Sequence, residues 1–181
     1  MSNKKIGDKL YIIAEIGVNH EGSLAKAKEM ILSCKKSGAH AAKFQSYKAE
    51  KIASTNSPSY WDLNEESTTS QYNLFKKYDV FNDEDYIALS NYCKKVGIDF
   101  MSTPFDLQAV DFLDSLVNIF KIASADITNY PLLRKVASKK KPVILSTGCS
   151  TIIEIKSAIN ELKNNGAKEI ILLHCILNYP T

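Results

Sequence analysis

Histidine and cysteine are scarce in this sequence, and the few present are dispersed. Three histidines (His20, His40, His174) and four cysteines (Cys34, Cys93, Cys149, Cys175) occur in 181 residues, with no C-x-x-C pair. That argues against a zinc ribbon or a disulfide scaffold, and reduced cytosolic thiols are the expectation. Nor is there a run approaching the ~18 apolar residues of a membrane helix, or a signal-like apolar core in the first residues MSNKKIGDKL. A cytoplasmic protein with no membrane partner follows. The charge excess is small: 23 basic against 20 acidic residues, a net +3, too little and too scattered to imply nucleic acid. The one basic run, Lys139, Lys140 and Lys141, precedes a strand at Pro142 and is read as a solvated helix end. A glycine-rich nucleotide turn is missing as well. After the first apolar run the chain reads EIGVNHEGS, which argues against an open doubly wound sheet.

What is present is a repeated sequence phrase, a short apolar run that ends in a polar, reactive residue and leads into a helical pattern. YIIAEIG ends near Glu15, AAKFQ at Lys43 and Gln45, and DFMSTPF at Ser102 and Thr103. FKIAS ends at Ser124, PVILSTG at Ser146 and Thr147, and IILLHC at His174. Near-continuous apolar strands separated by amphipathic helices require crossover connections and so predict a parallel α/β sheet. In a parallel α/β barrel of the (β/α)8 TIM type, chemistry sits where the strands end. Such a barrel usually takes about 250 residues, and this chain stops after a sixth strand. A partial barrel spanning 1–181, with about six strands, is therefore the expected fold.

Helix punctuation supports that order. Ser23 can cap a helix with Leu24, Ala27, Ile31 and Cys34 on one face and Gly38 at its end. Asn82 with Asp83, Glu84 and Asp85 starts another, stopped by Gly97. Thr151 and Glu154 have capping-box spacing; Ile152, Ile155, Ile159 and Leu162 are read as the buried stripe, and Gly166 closes the helix. Ser150 is read as a further helix cap. Residues 47–80 break the rhythm, being too long for a turn and too aromatic for a linker. They are expected to fold over the strand ends. Trp61 and Tyr60, beside Asp62, either cover a polar substrate or pack this insertion onto the barrel.

The strand-end residues suggest anion chemistry. Lys43 and Lys121 lie on otherwise apolar strands, where a lysine is rarely buried without a negative partner or a nucleophilic role. Around them stand Ser102, Thr103, Ser124, Ser146 and Thr147, and Gly148 permits close backbone approach. Ammonium groups with short hydroxyl and amide donors suit a phosphate or carboxylate. Glu15, without a local ion pair, is a candidate acid/base or an acceptor for a sugar hydroxyl. His20 reads more readily as a surface residue than as a ligand, and His174 is the better candidate for the site.

Six segments in order, AEIGVNHEG at 14–22, KFQSYKAE at 43–50, STPFD at 102–106, KIASADITNYPLL at 121–133, LSTG at 145–148 and LHCILNYPT at 173–181, resemble the sialic acid synthase (N-acetylneuraminate synthase, NeuB-like) family. The resemblance implies an enzyme that condenses phosphoenolpyruvate with an N-acylated amino hexose, giving a nonulosonic acid and phosphate. It places phosphoenolpyruvate at Lys43, Thr103, Ser124 and Ser146, with Tyr179 nearby. Glu15 and Lys121 take the catalytic positions at the sugar, and Gln45 and Asn178 its binding positions. The asparagine that the family carries after HC falls on Leu177 in an ungapped comparison, with Asn178 one place later. IASAD, from Ile122 to Asp126, stands where the family often has IGSGE, and is read as a different sugar subtype. The resemblance also implies a divalent metal, manganese, with ligands beyond Thr181 and none in this chain. It further implies a homodimer and a carboxy-terminal antifreeze-like domain that this chain lacks, so the chain alone is expected to be inactive. A Schiff-base aldolase using Lys43 or Lys121, and a non-catalytic or split fragment, are the alternatives.

Overall fold

The structure, a computed structural model, describes residues 10–177. In chain order the elements are β1 (Ile13–Gly17), α1 (Leu24–Lys36), β2 (Ala41–Ser46), α2 (Ala49–Ile52), α3 (Gln71–Tyr78), α4 (Asp83–Val96), β3 (Asp99–Pro104), α5 (Leu107–Leu113), β4 (Phe120–Ile122), α6 (Tyr130–Ser138), β5 (Val143–Ser146), α7 (Ile152–Asn164) and β6 (Ile170–Leu173). A 3-10 turn, Ser124–Asp126, follows β4. The strands form two three-stranded sheets, ordered β1-β2-β3 and β4-β5-β6. Pairing is parallel from β1 to β2, β4 to β5 and β5 to β6, as the intervening helices require. All six expected strands are present.

The chain forms two compact units, one comprising residues up to 44 with 81–101, the other 45–80 with residues from 102 onward. In the first, Ile16, Ala27, Ile31, Phe44, Leu89 and Cys93 are buried, and the Phe44 and Phe100 rings stack at 5.8 Å. Burial, reinforced by Cys34 and Asp99 nearby, raises the Cys93 thiol to about 12. The caps act as local chemistry dictates. Ser23 Oγ accepts from the Lys26 N–H, and Asn82 and Asp85 form a reciprocal capping box that starts α4. Gly97 ends α4 in the left-handed region at φ 75°, where a glycine carries no Cβ penalty. His20 is not a surface residue. It is buried and stacked on Phe81 at 4.1 Å, and its Nδ1 accepts from the Gly22 N–H. Desolvation, followed by the nearby Lys26 charge, holds its imidazole below the usual range, so His20 is a neutral packing group.

In the second unit every residue of β4 and β5 is buried, covered by Leu132, Leu133, Val136 and Leu162 among others. Thr151 and Glu154 make the capping box of α7, so Thr151 takes the cap and Ser150 donates instead to the Gly148 carbonyl at 3.0 Å. The stripe of α7 differs from expectation: Ala158 and Leu162 are the buried residues, while Ile152 is 64% exposed. At the first helical position Ile152 lies before the stretch that packs. The basic run is also tied down. Lys139 pairs with Asp111 and Asp114, and Lys141 with Asp114, joining the end of α6 to α5.

The segment 47–80 fastens to itself. Lys48 Nζ meets Asp79 Oδ1 at 2.8 Å, and the Ala49 N–H donates to Asp79 Oδ2 at 3.0 Å, so its two ends are clasped. Between them Pro58 and Ser70 form an antiparallel bridge. The Trp61 indole N–H donates to the carbonyls of Glu66 and Thr68, each at 3.0 Å, so Trp61 packs the segment internally, whereas Tyr60 is exposed.

Candidate active site

In the first unit, parallel register sets Glu15 of β1 beside Lys43 of β2. Their side chains form an ion pair in which the lysine is 9% exposed and the glutamate 40%. Glu15 therefore has a charged partner on the neighbouring strand, far along the chain and invisible to local reading. Directly after Glu15 the register slips between β1 and β2, and Gly17 takes a positive φ of 57°.

The second unit gathers groups from β4, β5 and the segment after β6. Lys121 is buried and donates to the Ile122 carbonyl at 2.8 Å and to Ser146 Oγ at 2.7 Å. Ser124, in the 3-10 turn, accepts from the Gly148 N–H at 3.0 Å and lies 3.4 Å from Cys175 Sγ. Thr147 bonds the Leu173 carbonyl through both its N–H and its hydroxyl, which holds the loops after β5 and β6 together. Gly148 is required sterically: a Cβ there would meet Leu177 N at 2.6 Å. Desolvation pushes the Cys175 thiol up, but hydrogen bonds from Ser124, Ser146 and the Thr147 and Gly148 backbone together bring it below its ordinary value. Asp126 is shifted the other way, raised by burial against a smaller opposing hydrogen bond from Asn129.

Of the remaining expected residues, Thr103 is buried and Gln45 half-buried at the ends of β3 and β2. Ser102 is fully buried and hydrogen-bonded to Ser46 at 2.7 Å between the two Oγ atoms, so it braces the ends of β2 and β3. His174 is exposed directly after β6. Asn178 and Tyr179 lie outside the described residues. Sequence reasoning missed Cys175; the polar positions beside it after β4 and β5 were the available signal. A buried lysine, Lys121, within β4 and near the Ser146 and Ser124 hydroxyls and the Gly148 N–H, makes surroundings of a kind that suits a small anion.

Parallel strands alternating with helices, carrying cationic and hydroxyl groups where they end, define the (β/α)8 barrel class, represented here by six strands. A sequence profile of the NeuB family matches residues 30–181, and the chain belongs to that family. It is 43% identical over 94% of its length to the N,N'-diacetyllegionaminic acid synthase of Legionella pneumophila, of which it covers 49%. It is 34% identical over 98% of its length to the N-acetylneuraminate-9-phosphate synthase of Drosophila melanogaster, covering 48%. The crystal structure of the N-acetylneuraminic acid synthetase of Leptospira borgpetersenii, in complex with citrate, superposes with a TM-score of 0.84 at 34% identity, over 98% of this chain and 60% of that one. The chain thus spans about half the length of the curated relatives it matches. The family resemblance implies a divalent metal, yet among the described residues no three His, Cys, Asp or Glu side chains come together to hold one.

Proposed function

We propose that this protein condenses phosphoenolpyruvate with an N-acylated amino hexose to give a nonulosonic acid and phosphate. The observation that carries the proposal is the presence of two nearly dry lysines within strands, Lys43 in β2 and Lys121 in β4, in a chain of the NeuB family. Lys43, Thr103, Ser124 and Ser146, with Tyr179, bind phosphoenolpyruvate; Gln45 and Asn178 bind the sugar. The methylene carbon of phosphoenolpyruvate attacks the aldehyde carbon of the open sugar, forming the new C–C bond and leaving an oxocarbenium at C2. Water adds there, and phosphate departs with cleavage of the C2–O bond. The aldehyde oxygen gains a proton and the water loses one. Glu15, a carboxylate with 40% of its side chain exposed beside the Lys43 ammonium, is suited to that proton traffic. Lys121 holds developing negative charge.

The aldolase reading is less well supported. Lys43 is held in an ion pair with the Glu15 carboxylate, and Lys121 donates to two oxygens at once. An imine requires a neutral amine with a free lone pair. The higher identity to a diacetyllegionaminic acid synthase, 43% against 34%, favours a diacetamido trideoxy hexose over N-acetylmannosamine. The test is phosphate release from phosphoenolpyruvate across a panel of acylated amino hexoses, with manganese supplied. Release with the diacetamido sugar is expected; silence across the whole panel refutes the proposal.

A further inference from the structure

The Cys175 thiol has no part in the chemistry above, yet it touches one of its central hydroxyls. Resting on the reading that Ser124 binds the anionic substrate, we propose that Cys175 is a positioning residue: it decides whether the Ser124 hydroxyl proton points to that anion or to sulfur.

A serine hydroxyl has one proton and two lone pairs. One lone pair of Ser124 is committed to the Gly148 N–H at 3.0 Å. The sulfur at 3.4 Å competes for what remains. A protonated Cys175 can donate to the second lone pair, or to the Leu173 carbonyl at 3.7 Å. In either arrangement sulfur carries no charge to capture the serine proton, which is free to donate to a bound carboxylate or phosphate. A thiolate can only accept. It takes the Ser124 proton and sets a negative charge beside the place an anion would occupy. Substrate capture and thiol ionisation are thus mutually exclusive at one oxygen. The surroundings make ionisation accessible, because the hydrogen bonds gathered on this sulfur outweigh its desolvation.

The other charged or titratable groups around Ser124 are Lys121, bonded to Ser146, Asp126 two residues on and His174 beside Cys175. All are retained when Cys175 is replaced, so a difference between variants isolates the thiol.

The experiment measures phosphoenolpyruvate binding to the full chain by calorimetry between pH 7 and 9.5, above the phosphate's second ionisation near pH 6. Wild-type affinity should fall by about tenfold per pH unit once the thiol is mainly ionised. Cys175→Ser, whose hydroxyl does not ionise, should lose the slope. By reciprocity, saturating phosphoenolpyruvate should move the pH midpoint of Cys175 alkylation by iodoacetamide upward. The exposed Cys149, resolved by peptide mass, serves as internal control. Steric shielding would slow alkylation without moving its midpoint. The same slope in Cys175→Ser as in wild type, or an unmoved midpoint, overturns the positioning role. Wild-type protein that binds no phosphoenolpyruvate at pH 7 overturns the functional reading itself, and this proposal with it.

Discussion

Gly148→Ala adds one methyl group where there is no room for it. The new Cβ would lie 2.6 Å from Leu177 N and 3.1 Å from both Ile176 C and Leu177 Cβ. Ordinary contact begins at 3.4 Å, so the Leu177 backbone must retreat by about 0.8 Å. The obstacle is main chain, which cannot rotate away as a side chain would. Gly148 does not sit at positive φ, so alanine is admissible to its backbone and the whole cost is steric. Overpacking of this kind costs about 1–3 kcal/mol. Ile176 and Leu177 are exposed, so most of the cost should be discharged by displacing them, and Cys175 and the donors around Ser124 move with them. The loss should therefore appear mainly in ligand affinity, as a phosphoenolpyruvate Kd raised by roughly tenfold or more, equivalent to about 1.4 kcal/mol. The accompanying fall in Tm should stay under about 4 °C. Gly166→Ala is the contrasting control: its Cβ meets nothing closer than 3.5 Å, but its φ is +106°, so it should lower Tm through backbone strain and leave binding intact. Calorimetry and thermal melts on both variants decide. A Gly148→Ala protein that binds within about twofold of wild type, a difference of only about 0.4 kcal/mol, refutes the reasoning.

Three further outcomes are expected. Lys43→Ala should weaken phosphoenolpyruvate binding by about 2–5 kcal/mol, since it removes a charge from nearly dry surroundings, and borohydride treatment with pyruvate should trap no adduct on Lys43 or Lys121. Hydrogen bonds from Thr68 and Lys77 depress the Glu66 carboxyl from 4.5 to about 2. Its contribution is thus complete above pH 4.5 and lost as pH falls toward 2, so urea titrations of wild type and Glu66→Gln should converge across that window; parallel curves would contradict the assignment. Thr151→Ala removes the reciprocal cap of α7 and should cost about 1 kcal/mol of stability in urea unfolding.

The features legible in the sequence are those whose causes are local. Ser23, Asn82 and the Thr151–Glu154 pair announce helix starts because a cap needs only neighbours within one turn. The end of β5 is legible because an apolar run that closes on a serine, Ser146, marks where a buried strand reaches polar surroundings. The parts that escape depend on register and on segments meeting across the sheet. Glu15 beside Lys43 requires the β1–β2 pairing, and Cys175 beside Ser124 requires the loop after β6 to reach back past β5. Ile152 falls outside the buried stripe because periodicity gives the direction of a face, whereas burial also depends on how far the packed partner extends. The family resemblance supplies what physics alone does not: a reaction.

The clasp between Lys48 and Asp79 has an evolutionary consequence. A segment gripped near both ends, at Lys48 and Asp79, keeps its points of departure and return together, whatever lies between them. Length and composition between those two points can drift without pulling the ends of the segment apart. A chimera that exchanges residues 49–78 alone, between the two halves of the clasp, is therefore the natural unit of inheritance to transplant.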